Sequence, residues 1–332
     1  MNRASGASPN SLLSLQDLKV WFRTRRGIVK AADGVSLDLR AGETLGIVGE
    51  SGSGKSVTCL SILNLIPSGG RIESGKILFE NRNLVGLPER DYRRIRGKEI
   101  AMVFQDPMTS LNPFQTVGEQ VGEPLVIHEH ATKGEARRRA TEMLERVGIP
   151  EPGRRLDEYP HQFSGGMRQR VMIAMALITH PKLLIADEPT TALDVTIQAQ
   201  VLELFRNLKA ERGASIVLVT HNLGIVAGMA DRVAVMYAGR VVEYAETGEL
   251  FSNPRHPYTL ALLKAVPRLG DGAGSVAPIP GAPPDLAQLP AGCSFYERCP
   301  FRLAKCETDS PPLAPVGENH AASCWVDVSG QK

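Results

Sequence analysis

Residues 49–56 have the composition and spacing of a phosphate-binding loop, or P-loop. They read Gly-Glu-Ser-Gly-Ser-Gly-Lys-Ser and match the pattern GxxxxGK(S/T). Glycines let the backbone wrap closely around a phosphate, while successive N–H groups and a helix N-terminus present partial positive charge to it. We expect Lys55 to contact the β- and γ-phosphates of a nucleotide and Ser56 to hold Mg²⁺. The residues predicted to bind the nucleotide here are Gly49, Ser51, Gly52, Ser53, Gly54, Lys55, Ser56 and Val57.

Two adjacent carboxylates, Asp187 and Glu188, end the apolar segment LLIADE. Such a segment predicts a buried strand that brings both side chains to the carboxyl edge of a sheet, where the sites of α/β proteins lie. We expect Asp187 to support Mg²⁺ and Glu188 to polarise an attacking water. Solvated charges at a strand end are the alternative, which the P-loop in the same chain disfavours.

Apolar strands that alternate with helices would position these groups. Residues 43–50, before the P-loop, predict a buried strand, and so do 100–105 and 215–221; this alternation is typical of a parallel sheet covered on both faces. VSLDLR alternates apolar and polar residues, which predicts a half-buried antiparallel strand. Residues 106–164 are mostly helical by pattern, with the clearest helix over 133–147, and RVAVMYAGRVVEYAE predicts a hairpin.

The segment 163–170, Phe-Ser-Gly-Gly-Met-Arg-Gln-Arg, resembles the signature motif of the ABC-transporter ATPases and differs from the usual LSGGQ in its first and last residues. Three further matches follow the order of that family. Gln105 resembles the Q-loop glutamine, Ala192-Leu193-Asp194 resembles the D-loop, and His221 resembles the switch histidine. Asn222 stands where the family more often has Asp.

This resemblance covers about residues 12–248 and implies an α/β fold. The fold is the P-loop NTPase ABC cassette: a mostly parallel RecA-like core sheet, an N-terminal antiparallel β subdomain and a helical signature subdomain over about 106–164. The resemblance also implies that Glu188, His221 and Gln105 act in catalysis. Mg²⁺ would be held by Ser56, Gln105 and Asp187.

The resemblance further implies that two ATP molecules are sandwiched between two such subunits, each site combining one chain's P-loop with the other chain's signature motif. A second ABC ATPase subunit is then required, and we expect a related heterologous chain rather than a second copy. Adenine stacking is implied for Phe22, with Trp21 and a purely structural role for either ring as alternatives. The residues implied to reach the nucleotide of the partner are Ser164, Gly165, Gly166 and Asp194.

The C-terminal part carries a different resemblance. Residues 253–267 resemble a segment typical of the oligopeptide/dipeptide-permease branch, and a Pro/Gly/Ala-rich stretch to residue 292 predicts an irregular linker. Four thiolates can ligate one iron–sulfur cluster or one tetrahedral Zn²⁺, and unligated thiols are a third possibility. The branch resemblance implies a 4Fe–4S cluster on the tail cysteines Cys293, Cys299, Cys306 and Cys324.

Composition limits the remaining possibilities. The chain has 332 residues with 38 Lys and Arg against 36 Asp and Glu, so its net charge of +2 gives no reason to expect nucleic-acid binding. The longest apolar run has eight residues, far fewer than the roughly 18 needed to span a bilayer. The N-terminus lacks the apolar stretch of a signal peptide. We therefore expect a soluble chain that acts at a membrane through partners.

Together these patterns predict three regions: a disordered N-terminus (1–11), the ABC ATPase cassette (12–250) and a cysteine-bearing C-terminal extension (251–332). The resemblance implies an ATPase subunit that energises import of di- or oligopeptides, peripheral to the cytoplasmic face of the inner membrane. Its implied partners are two transmembrane permease subunits and, indirectly, an extracytoplasmic solute-binding protein. The alternatives are an importer of a glutathione-like peptide or metal chelate, a soluble ABC ATPase, and an iron–sulfur redox regulator.

Overall fold

The computed structural model describes residues 11–190, 193–265 and 279–330, which fall into two compact units. The first unit holds the described residues up to Leu39, then Thr44–Val85 and those from Thr220 onward; the second holds Arg40–Glu43 and Gly86–Val219. Of the N-terminus predicted to be disordered, 1–11, residues 1–10 lie outside the described residues, whereas Ser11 is the first residue of a strand. The same is true of 266–278, which include most of the first half of the predicted linker.

The elements are as follows. The strands in chain order are β1 (Ser11–Thr24), β2 (Gly27–Arg40), β3 (Thr44–Val48), β4 (Gly70–Phe79), β5 (Arg82–Asn83), β6 (Ile100–Val103), β7 (Leu183–Asp187), β8 (Ser215–Val219), β9 (Arg232–Tyr237), β10 (Arg240–Glu246), β11 (Ala314–Gly317) and β12 (His320–Ala322). The α-helices are α1 (Lys55–Ile62), α2 (Glu89–Ile95), α3 (Pro107–Ser110), α4 (Val117–Glu129), α5 (Lys133–Arg146), α6 (Pro152–Arg155), α7 (Gly165–Leu177), α8 (Val195–Arg212), α9 (Leu223–Met229), α10 (Thr247–Ser252), α11 (Pro257–Lys264) and α12 (Lys305–Thr308).

The first unit contains an antiparallel sheet in the order β2-β1-β4-β5. β1 and β4 pair from Leu13 opposite Phe79 to Phe22 opposite Gly70. The antiparallel strand predicted from VSLDLR is confirmed as the end of β2, and its apolar residues are buried while its polar residues are not. Sequence reasoning missed β4, because the first half of that strand is mostly exposed and lacks apolar alternation.

A second group of strands in the first unit supports the P-loop. β3 lies parallel to β9, and β9 and β10 form the predicted hairpin. The extension adds two more strands, since β12 pairs antiparallel with β10 and β11 pairs with β12. Tyr237, Tyr258 and Phe295 pack together in this core, with ring centroids between 4.6 and 5.5 Å apart.

The second unit has three parallel strands in the order β8-β7-β6, in which every residue is buried. Such uninterrupted apolar strands are typical of a parallel sheet. The helices α4, α5 and α7 pack against one another. The helix predicted over 133–147 is confirmed as α5, and its N-cap Thr132 accepts a hydrogen bond from the Glu135 amide.

The longest described helix, α8, has 18 residues and carries several charges. Across residues 11–190, 193–265 and 279–330, no helix combines the length and the apolar character needed to cross a bilayer.

Candidate nucleotide-binding site

The P-loop joins β3, whose five residues are all buried, to α1, which begins at Lys55. Gly49 has φ +152°, and a Cβ there would lie 2.2 Å from the carbonyl oxygen of Met236. Gly54 has φ +98°, and a Cβ there would lie 2.1 Å from the carbonyl oxygen of Ala31. Because carbon and oxygen cannot approach so closely, only glycine lets the loop pack against these two carbonyl groups.

Lys55 is held inside the loop. Its Nζ donates to the carbonyl oxygens of Gly49 at 2.7 Å and Glu50 at 2.9 Å, and the residue is only 6% exposed. A cation is therefore already in place where the loop's glycine backbone would surround a phosphate. Of the other predicted loop residues, Ser53 is buried, Ser56 and Val57 are half-buried, and Ser51 and Gly52 are exposed.

His221 is exposed and precedes the cap of α9. The side chain of Asn222 caps that helix, since its Oδ1 accepts from the Gly224 amide at 2.9 Å and the Ile225 amide at 3.3 Å. Asn and Asp are comparable N-cap residues. The departure from the family's Asp therefore keeps the local structure that presents His221.

The two aromatic candidates for adenine stacking, Trp21 and Phe22, are both half-buried on β1. The Phe22 ring covers Gly70, where a Cβ would lie 2.4 Å from Cε1 of that ring. Lys30 places its Nζ 5.4 Å from the centroid of the Trp21 ring. Neighbouring residues of a strand point to opposite faces, so only one ring can face a nucleotide. The assignment of Phe22 stays a prediction.

In the second unit the structure brings Gln105 and Glu188 together. Gln105 Nε2 donates to Glu188 Oε2 at 3.2 Å, and Asp187 is buried as the last residue of β7. Glu188 has φ +47°, and its amide donates to the Val219 carbonyl at 2.9 Å. A left-handed conformation costs a residue with a side chain on the order of 1 kcal/mol, so the surrounding structure imposes it on this carboxylate.

The predicted signature and D-loop residues lie at helix starts. Ser164 is the N-cap of α7, and its hydroxyl accepts from the amide three residues later at 3.3 Å. Gly165 is exposed and Gly166 half-buried in the first turn. Asp194 caps α8 in the same way at 3.0 Å. Ala192, which the D-loop resemblance includes, lies outside the described residues.

Gln169 is a residue of this region that sequence reasoning missed. It is 1% exposed, and its Nε2 donates to the Pro189 carbonyl at 2.8 Å, which ties α7 to the segment directly after Glu188. The burial of a glutamine within a helix cannot be predicted from the sequence, because the same residue is common on exposed helix faces. Only the packed structure distinguishes the two.

Comparison with known proteins identifies the family. Residues 32–191 match the family model for the ABC transporter, and residues 242–306 match that for the oligopeptide/dipeptide transporter C-terminal region. The chain is 53% identical over 316 residues to the dipeptide transport ATP-binding protein DppD of Bacillus subtilis. This match covers 95% of this chain and 94% of the relative. The chain belongs to the ATP-binding proteins of the oligopeptide/dipeptide ABC transporter family.

Further relatives support this ABC family membership. The oligopeptide transport ATP-binding protein OppD of Salmonella typhimurium is 50% identical over 319 residues, covering 96% of this chain and 95% of the relative. A dimeric, post-hydrolysis structure of the ATP-binding cassette MJ0796 bound to ADP and Pi matches with a TM-score of 0.66 and 30% identity, over 71% of this chain and 98% of that one. The predicted P-loop NTPase ABC cassette fold and the predicted ATPase class are confirmed.

The extension of this ABC ATPase gathers its tail cysteines around one cavity, also lined by Phe295 and Trp325. Burial raises the pKa of Cys293 and Cys324 and raises the pKa of Cys299 to about 11, and neighbouring thiols add to each shift. Within the described ranges, no three His, Cys, Asp or Glu side chains lie close enough together to hold a metal ion. The structure thus groups the thiols without bringing them to ligand separation.

Proposed function

We propose that this chain hydrolyses ATP to drive the import of dipeptides or oligopeptides through partner membrane proteins. The observation that carries the proposal is the ammonium of Lys55 held inside a glycine loop, in a chain about half identical over nearly its full length to proteins named for dipeptide and oligopeptide transport. A Brucella abortus relative, 50% identical over 336 residues, is named as a putative peptide import ATP-binding protein. Import of another small solute is not favoured by these names.

Hydrolysis would use a small set of groups. The attacking water bonds to the γ-phosphorus while the bond from that phosphorus to the β–γ bridging oxygen breaks, and ADP leaves. We assign Glu188 to orient this water and to receive its proton, with Gln105 holding the carboxylate as the 3.2 Å hydrogen bond indicates. Lys55 and His221 would stabilise the charge on the γ-phosphoryl group.

Mg²⁺ would be held by Ser56, Gln105 and Asp187. Their hydroxyl, amide and carboxylate oxygens are the hard donors that Mg²⁺ prefers, so the donor set fits this ion. When bound, Mg²⁺ would supply positive charge that offsets part of the negative charge of the phosphates.

A second ATPase subunit would complete each ATP site. The residues that we expect to contact its nucleotide are Ser164, Gly165, Gly166 and Asp194. All four lie at helix starts in this chain, where Gly166 is half-buried and the other three are exposed. Amides at a helix N-terminus attract anions such as a γ-phosphate. We propose that the second subunit is a related heterologous chain.

Membrane permease subunits are the second class of partner. Phe114 is 89% exposed and Met108 is 62% exposed, both in the helical region that follows Gln105. Large apolar side chains exposed close together in the sequence are typical of interaction sites. We propose that this region contacts two transmembrane subunits at the cytoplasmic face of the inner membrane, where an extracytoplasmic solute-binding protein delivers the peptide to them.

We further propose that the four tail cysteines hold a 4Fe–4S cluster, with one Zn²⁺ as the alternative occupant. Four thiols that line one cavity match the donor set of either group. Because these thiols are too far apart in the structure to ligate one metal ion, they would have to move closer to one another when the cluster or Zn²⁺ binds. A bound cation would also lower the raised thiol pKa values, because thiolates rather than thiols are the ligands. The role proposed for the group is to clamp the extension.

Replacing the proposed water-orienting carboxylate tests the ATPase mechanism. The Glu188→Gln variant should bind ATP with little change, but lose turnover by about 10²-fold or more, because a carboxamide cannot accept the proton. The measurements are ATP binding and phosphate release by the full-length chain reconstituted with its membrane partners. Glu203→Gln, an exposed change on α8 in the same unit, is the control. Turnover at the wild-type rate in Glu188→Gln would contradict the assignment.

A further inference from the structure

The C-terminal extension contacts the P-loop through Arg298, the residue before Cys299. Nη1 and Nη2 of Arg298 donate to the two carboxylate oxygens of Glu50 at 2.7 and 3.0 Å. The side chain of Arg298 is 4% exposed and that of Glu50 is 28% exposed. Glu50 is the second residue of the loop, directly after Gly49. This bidentate ion pair therefore holds a residue of the P-loop itself.

Other contacts fix the orientation of Arg298. Its Nε donates to the Pro280 carbonyl at 2.8 Å, and Nη1 also donates to the hydroxyl of Tyr237 at 3.2 Å. The guanidinium carbon lies 5.8 Å from the ring centroids of both Tyr237 and Phe295. A planar guanidinium held in this way is preorganised to bind one carboxylate in one orientation.

Glu50 is also held at its backbone. Its amide donates to the hydroxyl of Tyr258 at 2.8 Å, and Tyr258 is fully buried on α11. Its carbonyl oxygen accepts from Lys55 Nζ at 2.9 Å. The residue held by Arg298 is therefore the same residue whose carbonyl positions the lysine ammonium.

We propose that Arg298 is a positioning residue for phosphate binding: through Glu50, the cysteine-bearing extension sets the conformation of the P-loop and with it the affinity for ATP. This rests on the proposed function, since it requires ATP to bind at the P-loop. Arg298 touches no phosphate in this role and acts only through the loop. Linkage makes the effect reciprocal, so nucleotide binding also stabilises the arrangement of the extension around Arg298.

The test compares ATP affinity in single, double and exchanged variants of the full-length chain. Arg298→Gln and Glu50→Gln should each raise the Kd for ATP about tenfold, and should raise KM more than they lower kcat, because the loop is displaced while Glu188 is untouched. The double variant should bind ATP no more weakly than either single variant, since both changes break the same contact. The exchange Glu50→Arg with Arg298→Glu should recover part of the affinity.

Arg302→Gln is the matched control. Arg302 lies four residues along the same segment, is exposed, and places its guanidinium carbon 5.4 Å from the centroid of the Tyr296 ring. It should leave the Kd unchanged. Thermal unfolding shows whether each variant is folded. If Arg298→Gln fails to fold, the ATP affinity of Glu50→Gln decides the test, because that substitution leaves the extension intact. A wild-type Kd in a folded Glu50→Gln or Arg298→Gln, or additive effects in the double variant, would overturn the proposal. If the wild-type chain itself does not bind ATP, the proposed function is overturned instead.

Discussion

At the level of single residues, Gly54 and Gly52 differ in their surroundings, although both lie in the P-loop and both have positive φ. A Cβ at Gly54 would meet the Ala31 carbonyl, whereas nothing lies within 4 Å of a Cβ at Gly52. Towards the rest of the protein, a side chain at Gly52 therefore adds only backbone strain. A side chain at Gly54 adds the same strain and a clash with the backbone that the loop packs against.

Alanine substitution should separate these two effects. Gly52→Ala should lower the free energy of unfolding by about 1 kcal/mol, the cost of the left-handed conformation. Gly54→Ala should be clearly more destabilising and should lose ATP binding, because the start of α1 must move away from Ala31. Urea unfolding and equilibrium ATP binding measure the two outcomes. Equal effects of the two variants would show that the contact with Ala31 does not control the loop.

At the level of elements, β10 is the anchor of the extension. Its residue Glu243 is fully buried, and the carboxylate accepts from the amides of Arg255 and His256 at 2.6 and 2.9 Å and meets His320 Nε2 at 2.7 Å. β12, which contains His320, pairs directly with β10. The extension that carries the cysteines is therefore joined to β10, a strand of the cassette, by strand pairing and by the hydrogen bonds of Glu243.

This anchoring gives the metal proposal a definite test. The full-length chain purified without oxygen should contain about four irons and four sulfides and show broad absorbance near 400 nm. Cys299→Ser and Cys306→Ser should each reduce the iron content strongly, while Cys59→Ala, a change on α1, should not. One zinc per chain without iron would support the alternative occupant. Protein with neither metal and with reactive thiols at all four tail positions would contradict both.

At the level of the whole molecule, the chain carries a P-loop and a signature motif that the family resemblance assigns to two different ATP sites. The MJ0796 cassette, matched with a TM-score of 0.66, is named as dimeric. A site shared in this way would make hydrolysis depend on a second subunit, because the donors for one γ-phosphate would come from two chains. In the proposed assembly, ATPase activity would be a property of the assembled transporter rather than of this chain alone.

Purification from native membranes in mild detergent tests that assembly. The tagged chain should co-purify with two polytopic membrane proteins and a second, non-identical ATPase, identified by mass spectrometry. A double substitution of the exposed Phe114 and Met108 to Ser should weaken recovery of the polytopic chains, whereas Arg302→Gln should not. Recovery of the chain with a second copy of itself alone, or with no polytopic partner, would contradict the proposed partners.

The sequence by itself determined the chemistry and the elements that carry it. The P-loop, the paired carboxylates and the signature motif are contiguous patterns, so their residue types and order are complete without knowledge of packing. The β9–β10 hairpin and α5 were also predicted correctly, because their apolar periodicity and turn residues act over a few neighbouring positions. β4 escaped this reasoning, because its first half lacks apolar alternation.

The tertiary structure decided which groups support those patterns. Arg298 and Glu50 are separated by 248 positions, and the hydrogen bond from Gln169 to the Pro189 carbonyl joins α7 to the turn after β7. Neither contact could be predicted from the local sequence. A hydrogen bond between distant segments depends on how whole elements pack and not on neighbouring residue types. The crowding at Gly49 and Gly54 was likewise visible only once Met236 and Ala31 had been brought against the loop.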